Sequence, residues 1–420
     1  MHRDLLFLPV AVSFLACVVF ISSGAVEFPH FRAPPHEYLK RTPNDRFTRI
    51  NDAVLTGDIL LDHDSPKTYV ASLLRALDIS PSTQLLVFST TSLQLSRISP
   101  ENPRAIYFNE DTYLGWVPGG KIEVIGIDPD WGAITYILEV PKPNAPPALV
   151  QRSTRCMKCH AAQEIGGVPG LLISSVVPGP GGGSLEAFRK DKIGHAIPFH
   201  ERFGGWHVTG KHGIKNHWGN LTGTLSPAGL TKIPNELGQR FRPDRYPVPT
   251  SDVLAHLLLE HQAGFVDRFA TATYRARAVL ADAVPQIGES EVPIFLEREA
   301  SRLVRYLLFE GETRFPAGGI EGDLKLKADF LKDRRQASNG TSLRDFDLST
   351  RLFRHRCSYM IYSPSFTGLP PRLKERLFNQ LADALSPESS NPIFSYLPVS
   401  EKQAIRLILR ETLSGLPRNW

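Results

Sequence analysis

Residues 156–160 read Cys-Met-Lys-Cys-His, and this pentapeptide constrains the chain more than any other stretch of its 420 residues. Cys-x-x-Cys-His is the attachment signature of a c-type haem. Two thiols add across the vinyl groups of the macrocycle, and two intervening residues set their separation. The adjacent histidine then falls beneath the ring and ligates iron from the proximal face. The fold is therefore expected to wrap one covalent haem c around Cys156, Cys159 and His160. With 4 Cys and 13 His in the chain, random order would generate the pentapeptide roughly once in a thousand such sequences. Half of a zinc site and a thiol redox pair are the competing uses of this spacing. Zinc wants a second Cys-x-x-Cys or paired histidines, and thiol redox wants a βαβ context. The sequence offers neither.

Residues 1–25 carry the pattern of an export signal. Arg3 supplies a basic end, Leu5 to Ile21 is almost wholly apolar, and Ser22-Ser23-Gly24-Ala25 places small residues before a cleavage point after Ala25. The apolar stretch of 17 residues also reaches the lower edge of a spanning helix, so an uncleaved anchor is the alternative. No later segment has the length and apolarity to span a bilayer. The mature chain is expected to be periplasmic or otherwise exported, without a stable membrane span. Export agrees with the motif, because covalent haem attachment takes place outside the bacterial cytoplasm. After cleavage Cys156, Cys159 and Cys357 remain, and Cys357 has no disulfide partner.

The sixth iron ligand is less constrained. The chain has 3 methionines; Met157 lies inside the attachment loop, which leaves Met360, a histidine, another side chain or an open position. Five histidines (His195, His200, His207, His212, His217) fall in one glycine-rich window soon after the motif. Each is a candidate ligand or an ordinary loop histidine. Ser251 or Asp252 can cap a helix running to about Leu280. On it Leu254, Leu257, Leu258, His261 and Phe265 form one stripe, with His256 on the opposite, polar side. His261 then faces either the core or the cofactor.

Composition bounds the rest. With 42% apolar and 22% charged residues the chain can bury a large core, and disordered, fibrous and disulfide-stapled classes are excluded. The net charge of +5 comes from 48 basic against 43 acidic residues, spread too thinly for a nucleic-acid arm. After a loop-rich stretch 26–66, a helix is expected over 67–82. Short strands follow at Gln84–Phe88, Ala105–Phe108, Lys121–Ile127 and Ala133–Val140, with Pro118-Gly119-Gly120 and Asp128-Pro129-Asp130 as turns. Pro141 to Pro147 is a connector, and Pro178 to Gly183 a glycine-rich loop. Helices are expected at 251–280, 294–312, 371–386 and 400–414, the last with a capping-type start at Ser400. The fold class is α+β. A signal peptide (1–25) precedes a β-rich N-terminal region (26–150), a loop-rich attachment segment rich in Gly and His (151–245) and a mainly α-helical C-terminal region (246–420).

Further stretches carry a likeness. Pro103-Arg104-Ala105-Ile106-Tyr107-Phe108-Asn109 and Tyr113-Leu114-Gly115-Trp116-Val117 precede the motif, and Gly167-Val168-Pro169-Gly170 and the Gly-Gly-Trp…Thr-Gly-Lys-His-Gly segment follow it. Glu260-His261-Gln262, Ser342 to Asp347 and Cys357 to Ser363 lie downstream. Together, over roughly residues 80–390, these resemble a family of large, exported, mono-haem cytochrome c-like proteins of bacteria, for which no substrate is assigned. The resemblance implies haem at Cys156, Cys159 and His160. It makes His195, His212, His217 and His261 the candidates for the distal side, and His207 departs from the pattern. Two functions follow as expectations: electron transfer with periplasmic redox proteins, or a peroxidase-like oxidoreductase with an open iron and a small-molecule redox substrate. A redox-dependent sensor is the third possibility.

Overall fold

A computed structural model describes residues 26–142, 150–187, 194–417 and 420; the signal pattern of 1–25 and most of the 141–147 connector lie outside them. The first half begins with two helices, α1 (Arg46–Thr56) and α2 (Pro66–Ala76). Asp45 starts α1 by accepting a hydrogen bond from the Thr48 amide, and Ser65 with Thr68 closes a reciprocal cap on α2. The first of these helices lies in the stretch expected to be loop. The second stops six residues short of expectation, because Asp78 turns left-handed (φ 55°) and Pro81 follows.

A six-stranded antiparallel meander comes next: β1 (Leu85–Val87), β2 (Arg104–Phe108), β3 (Thr112–Trp116), β4 (Ile122–Asp128), β5 (Gly132–Leu138) and β6 (Gln151–Arg152). Strand β3 was visible in sequence only through the family likeness. Alternation along the strands divides the molecule into two cores. Leu86, Ala105, Tyr107, Leu114, Trp116, Val124, Tyr136 and Leu138 point to one face and pack with Phe47 of α1 and Leu73 and Leu74 of α2. Leu85, Val87, Phe108, Tyr113, Ile127 and Ala133 point to the other and join the helical core. On that second face the cross-strand row Ile106, Gly115, Glu123, Ile137 and its neighbour Ile125 are only half-buried. This end of the sheet is less well covered than the end under the helices.

The short helix α3 (Met157–His160) follows β6, then two hairpins, β7 (Val176–Pro178) with β8 (Ser184–Ala187) and β9 (Leu221–Ser226) with β10 (Gly229–Pro234). The helices are α4 (Val253–Leu280), α5 (Val292–Leu307), α6 (Leu324–Lys332), α7 (Pro364–Thr367), α8 (Pro371–Ala384) and α9 (Val399–Thr412). The class is α+β, with an antiparallel sheet in the N-terminal half and helices in the C-terminal half. One core runs from β1 and Trp206 through α4 to α9, so it draws on all three regions delimited in the sequence.

Asp252, through its side chain, caps α4. This helix is buried nearly all round, as expected for a helix at the centre of a large core. The expected polar side bearing His256 is therefore absent: His256 is 4% exposed and packs edge-on to Phe203 and Trp206, and its Nε2 donates to the His207 carbonyl at 2.9 Å. Ser400 does not cap α9 either. The helix starts one residue earlier, after Pro398, without a side-chain cap. Glu401 turns instead to Arg356, accepting from its guanidinium at 2.6 Å and from its amide at 2.8 Å. Among the described residues no helix is long and apolar enough to cross a membrane.

Candidate functional site

The pentapeptide folds as a single helical turn. A 3₁₀ turn at Thr154–Cys156 runs directly into α3, which puts Cys156 and Cys159, three residues apart, on one side of the turn. Met157 sets the roll of that turn. It is 4% exposed and sits in the core with Tyr136 and Leu138. The two cysteines are consequently left outward, Cys156 half-buried and Cys159 exposed, both as free thiols. The Cys156 thiol lies 3.4 Å from Ser153 Oγ.

His160 is held by the loop that follows. Its Nδ1 is 3.1 Å from the Gly170 carbonyl oxygen, and the Gly170 amide donates back to the His160 carbonyl at 2.8 Å. A carbonyl only accepts, so Nδ1 carries the proton and the lone pair lies on Nε2. Among the described residues Nε2 has no hydrogen-bond partner. Burial lowers the His160 pKa and keeps the ring neutral. Of the nearby charges Arg104 pushes in the same direction and Glu123 against it; these two pair with each other at 2.7 Å across the sheet face. Gly115 lies between them on β3, and a Cβ there would meet Arg104 and Glu123 no closer than 3.7 Å.

The loop closes tightly enough to demand glycine. Gly166 is left-handed (φ 98°) and a Cβ would strike Thr271 Oγ1 of α4 at 2.2 Å; at Gly170 a Cβ would strike Asp267 Oδ1 at 2.3 Å. Asp267, 3% exposed, accepts the Leu171 amide at 2.7 Å. Neither Gly170 nor Asp267 was identifiable as part of the site from sequence, because the contacts span 10 and 96 residues.

These donors fit a covalently attached haem: two free thiols on one side of a turn and, next to them, a neutral imidazole whose Nδ1–H is fixed by a backbone carbonyl, the usual orientation device for a metal-ligating histidine. Half-buried Ile106, Ile125 and Ile137 flank Gly115 on the sheet face whose Arg104–Glu123 pair acts on the ring. A protein-only metal centre fits less well, since among the described residues no group of three or more His, Cys, Asp or Glu side chains converges.

The distal candidates separate into two pairs. His195 and His261 meet through their Nδ1 atoms at 3.0 Å. His261 is fully buried, its Nε2 is 2.7 Å from Ser358 Oγ, and both rings stack on Phe309 and Tyr306. Both nitrogens of His261 are thus engaged, whereas His195 Nε2 is buried without a partner among the described residues. Burial holds the His261 pKa down to about 3 and that of His195 well below normal. His212 and His217 form the second pair, with ring centroids 5.3 Å apart, and both are half-buried. His212 Nδ1 donates to the Ile214 carbonyl at 3.1 Å, while His217 Nδ1 accepts the Gly219 amide at 3.0 Å. The lone pair of His212 is therefore on Nε2; His217 carries its proton there.

The remaining candidates are accounted for by packing. Met360 and Cys357 are fully buried in the helical core, and burial raises the thiol pKa. His200 is an exposed partner of Glu201 at 3.7 Å. His207 is fully buried, and among the described residues neither of its ring nitrogens has a hydrogen-bond partner. No family model, no curated protein and no solved structure matches this chain.

Proposed function

We propose that this chain is an exported c-type cytochrome that carries one covalent haem and acts in electron transfer. The observation that carries this reading is the tie between His160 Nδ1 and the Gly170 carbonyl, in the same helical turn as two free thiols. Cys156 and Cys159 would hold the macrocycle through thioether bonds, and His160 Nε2 would be the proximal ligand. When bound, the haem supplies a one-electron couple tuned by its axial ligands and surroundings. Gly170 orients the imidazole and burial keeps it neutral; Ile106, Ile125 and Ile137 offer apolar surface that excludes water. The exposure of Cys159 keeps one edge of the site close to solvent, where a redox partner can approach. A net charge of +5 suits an acidic periplasmic partner. Export is supported by the pattern of residues 1–25 and by the extracytoplasmic chemistry of attachment.

A second reading, a mono-haem oxidoreductase of peroxidase-like type acting on a small redox substrate, is favoured by one feature. His261 has both nitrogens engaged in the core and Met360 is fully buried, which leaves neither as a ready sixth ligand. His212 and His217 would then serve as acid and base groups.

The test is an absorption spectrum of the mature protein from a haem-maturing host, oxidised and reduced, with and without CO. A c-type spectrum unmoved by CO supports the carrier, and a high-spin spectrum shifted by CO supports the oxidoreductase. Replacing His160 by Ala is expected to leave covalent attachment possible while changing the visible spectrum; an unchanged spectrum refutes the proximal assignment.

A further inference from the structure

Asp267 is an expensive residue to find in the middle of α4. It is 3% exposed, Oδ2 has no hydrogen-bond partner among the described residues, and burying a carboxyl with a free oxygen costs several kcal/mol. Among the described residues its one hydrogen bond is accepted from the amide of Leu171 at 2.7 Å. That amide belongs to the same peptide unit as the Gly170 carbonyl that receives His160 Nδ1–H at 3.1 Å. A peptide unit is planar and rigid, so a carboxyl fixing its N–H also fixes the direction of its C=O. Hydrogen bonds in series also polarise one another: an acceptor on the N–H makes the C=O a stronger acceptor. Gly170 packs directly against this carboxyl, since a Cβ there would meet Asp267 Oδ1 at 2.3 Å.

We propose that Asp267 is a positioning residue for the proximal ligand, acting through the Gly170–Leu171 peptide unit to orient His160 and strengthen its Nδ1–H bond. The proposal rests on His160 being the iron ligand. A stronger Nδ1–H bond makes the imidazole more basic toward iron and favours the oxidised state, so loss of the Asp267 acceptor raises the midpoint potential.

The experiment compares the holoprotein with Asp267→Leu, which keeps the branched side-chain skeleton with somewhat more bulk but offers no acceptor, and Asp267→Asn, which keeps an acceptor oxygen. Haem content and far-UV circular dichroism establish that each variant is folded and loaded. Asp267→Leu is expected to change the oxidised-to-reduced ratio at a fixed potential about tenfold, an upward shift of about 59 mV for one electron, and Asp267→Asn is expected to restore most of the wild-type value. Should the leucine variant fail to fold, Asp267→Ala provides the acceptor-free measurement. A loaded, folded, acceptor-free variant with the wild-type potential overturns the proposal while leaving the reading of His160 intact. A wild-type protein that carries no covalent haem overturns both.

Discussion

The two histidine pairs have similar credentials in sequence and different ones in space. His195 and His261 sit in an aromatic core, joined Nδ1 to Nδ1 and stacked on Tyr306 and Phe309. His212 and His217 lie half-buried in a glycine-rich loop, each with Nδ1 tied to its own backbone. The first pair holds structure together, and the second keeps ring nitrogens available. A histidine's usefulness to a cofactor is therefore decided less by its proximity to a motif than by what its two nitrogens already do.

The contrast breaks first, if it breaks at all, on stability. His261→Ala removes a fully buried ring and strands both Ser358 and His195, so a loss of about 3–5 kcal/mol is expected. His212→Ala removes a half-buried ring with one local hydrogen bond and should cost about 1 kcal/mol or less. Denaturant unfolding of the two variants decides the matter. Equal losses would mean that the buried pair is not a structural element.

Acid sharpens the same comparison. The folded pKa of His261 is held down to about 3, against about 6.5 in the unfolded chain. Between those values the unfolded state binds a proton that the native state refuses. The stabilising effect of a neutral His261 is therefore present above about pH 6.5 and is lost as pH falls toward 3. Each such histidine contributes a slope of at most about 1.4 kcal/mol per pH unit, and His256 and His207, both held near 4, act in the same direction. Glu312, raised to about 7, opposes them, so variants isolate the effect better than the wild type. His261→Gln should flatten the acid limb of stability between pH 6.5 and 4 by close to that slope, and His212→Gln by less. Identical acid limbs for the two variants would remove the distinction.

Much of the fold was legible because its signals are local. Strand runs, turn dipeptides and the apolar stretch of α4 each lie within a few residues of one another, and the structure places elements there. The misreadings have local causes too. Helix α1 was hidden behind a proline-rich opening, although Asp45 caps it, and Ser400 resembled a cap until Glu401 was drawn to Arg356. His256 was given a polar side because a helical wheel shows angles but not the depth of the surrounding core. Within the site, the pentapeptide was fully legible and its support was not. Gly170 is 10 residues from His160 and Asp267 another 96 beyond Leu171, and no periodicity connects residues across that distance.

The smallest effect concerns a single proton on each ring of the outer pair. His212 Nδ1 faces a carbonyl, which forces the proton onto Nδ1 and leaves Nε2 with a lone pair. His217 Nδ1 faces an amide, which forces the opposite tautomer. Burial lowers both pKa values, that of His217 to about 4, so both rings are neutral at pH 7 and the tautomers are fixed by these backbone contacts. Nitrogen-15 NMR of histidine-labelled protein should find His212 protonated on Nδ1 and His217 on Nε2. The consequence for function is directional: a neutral His212 can present a lone pair to a metal or accept a proton, while a neutral His217 can only donate one through Nε2. If both rings prove to be Nδ1–H tautomers, that division of roles is wrong, and the pair becomes a site with two equivalent acceptors.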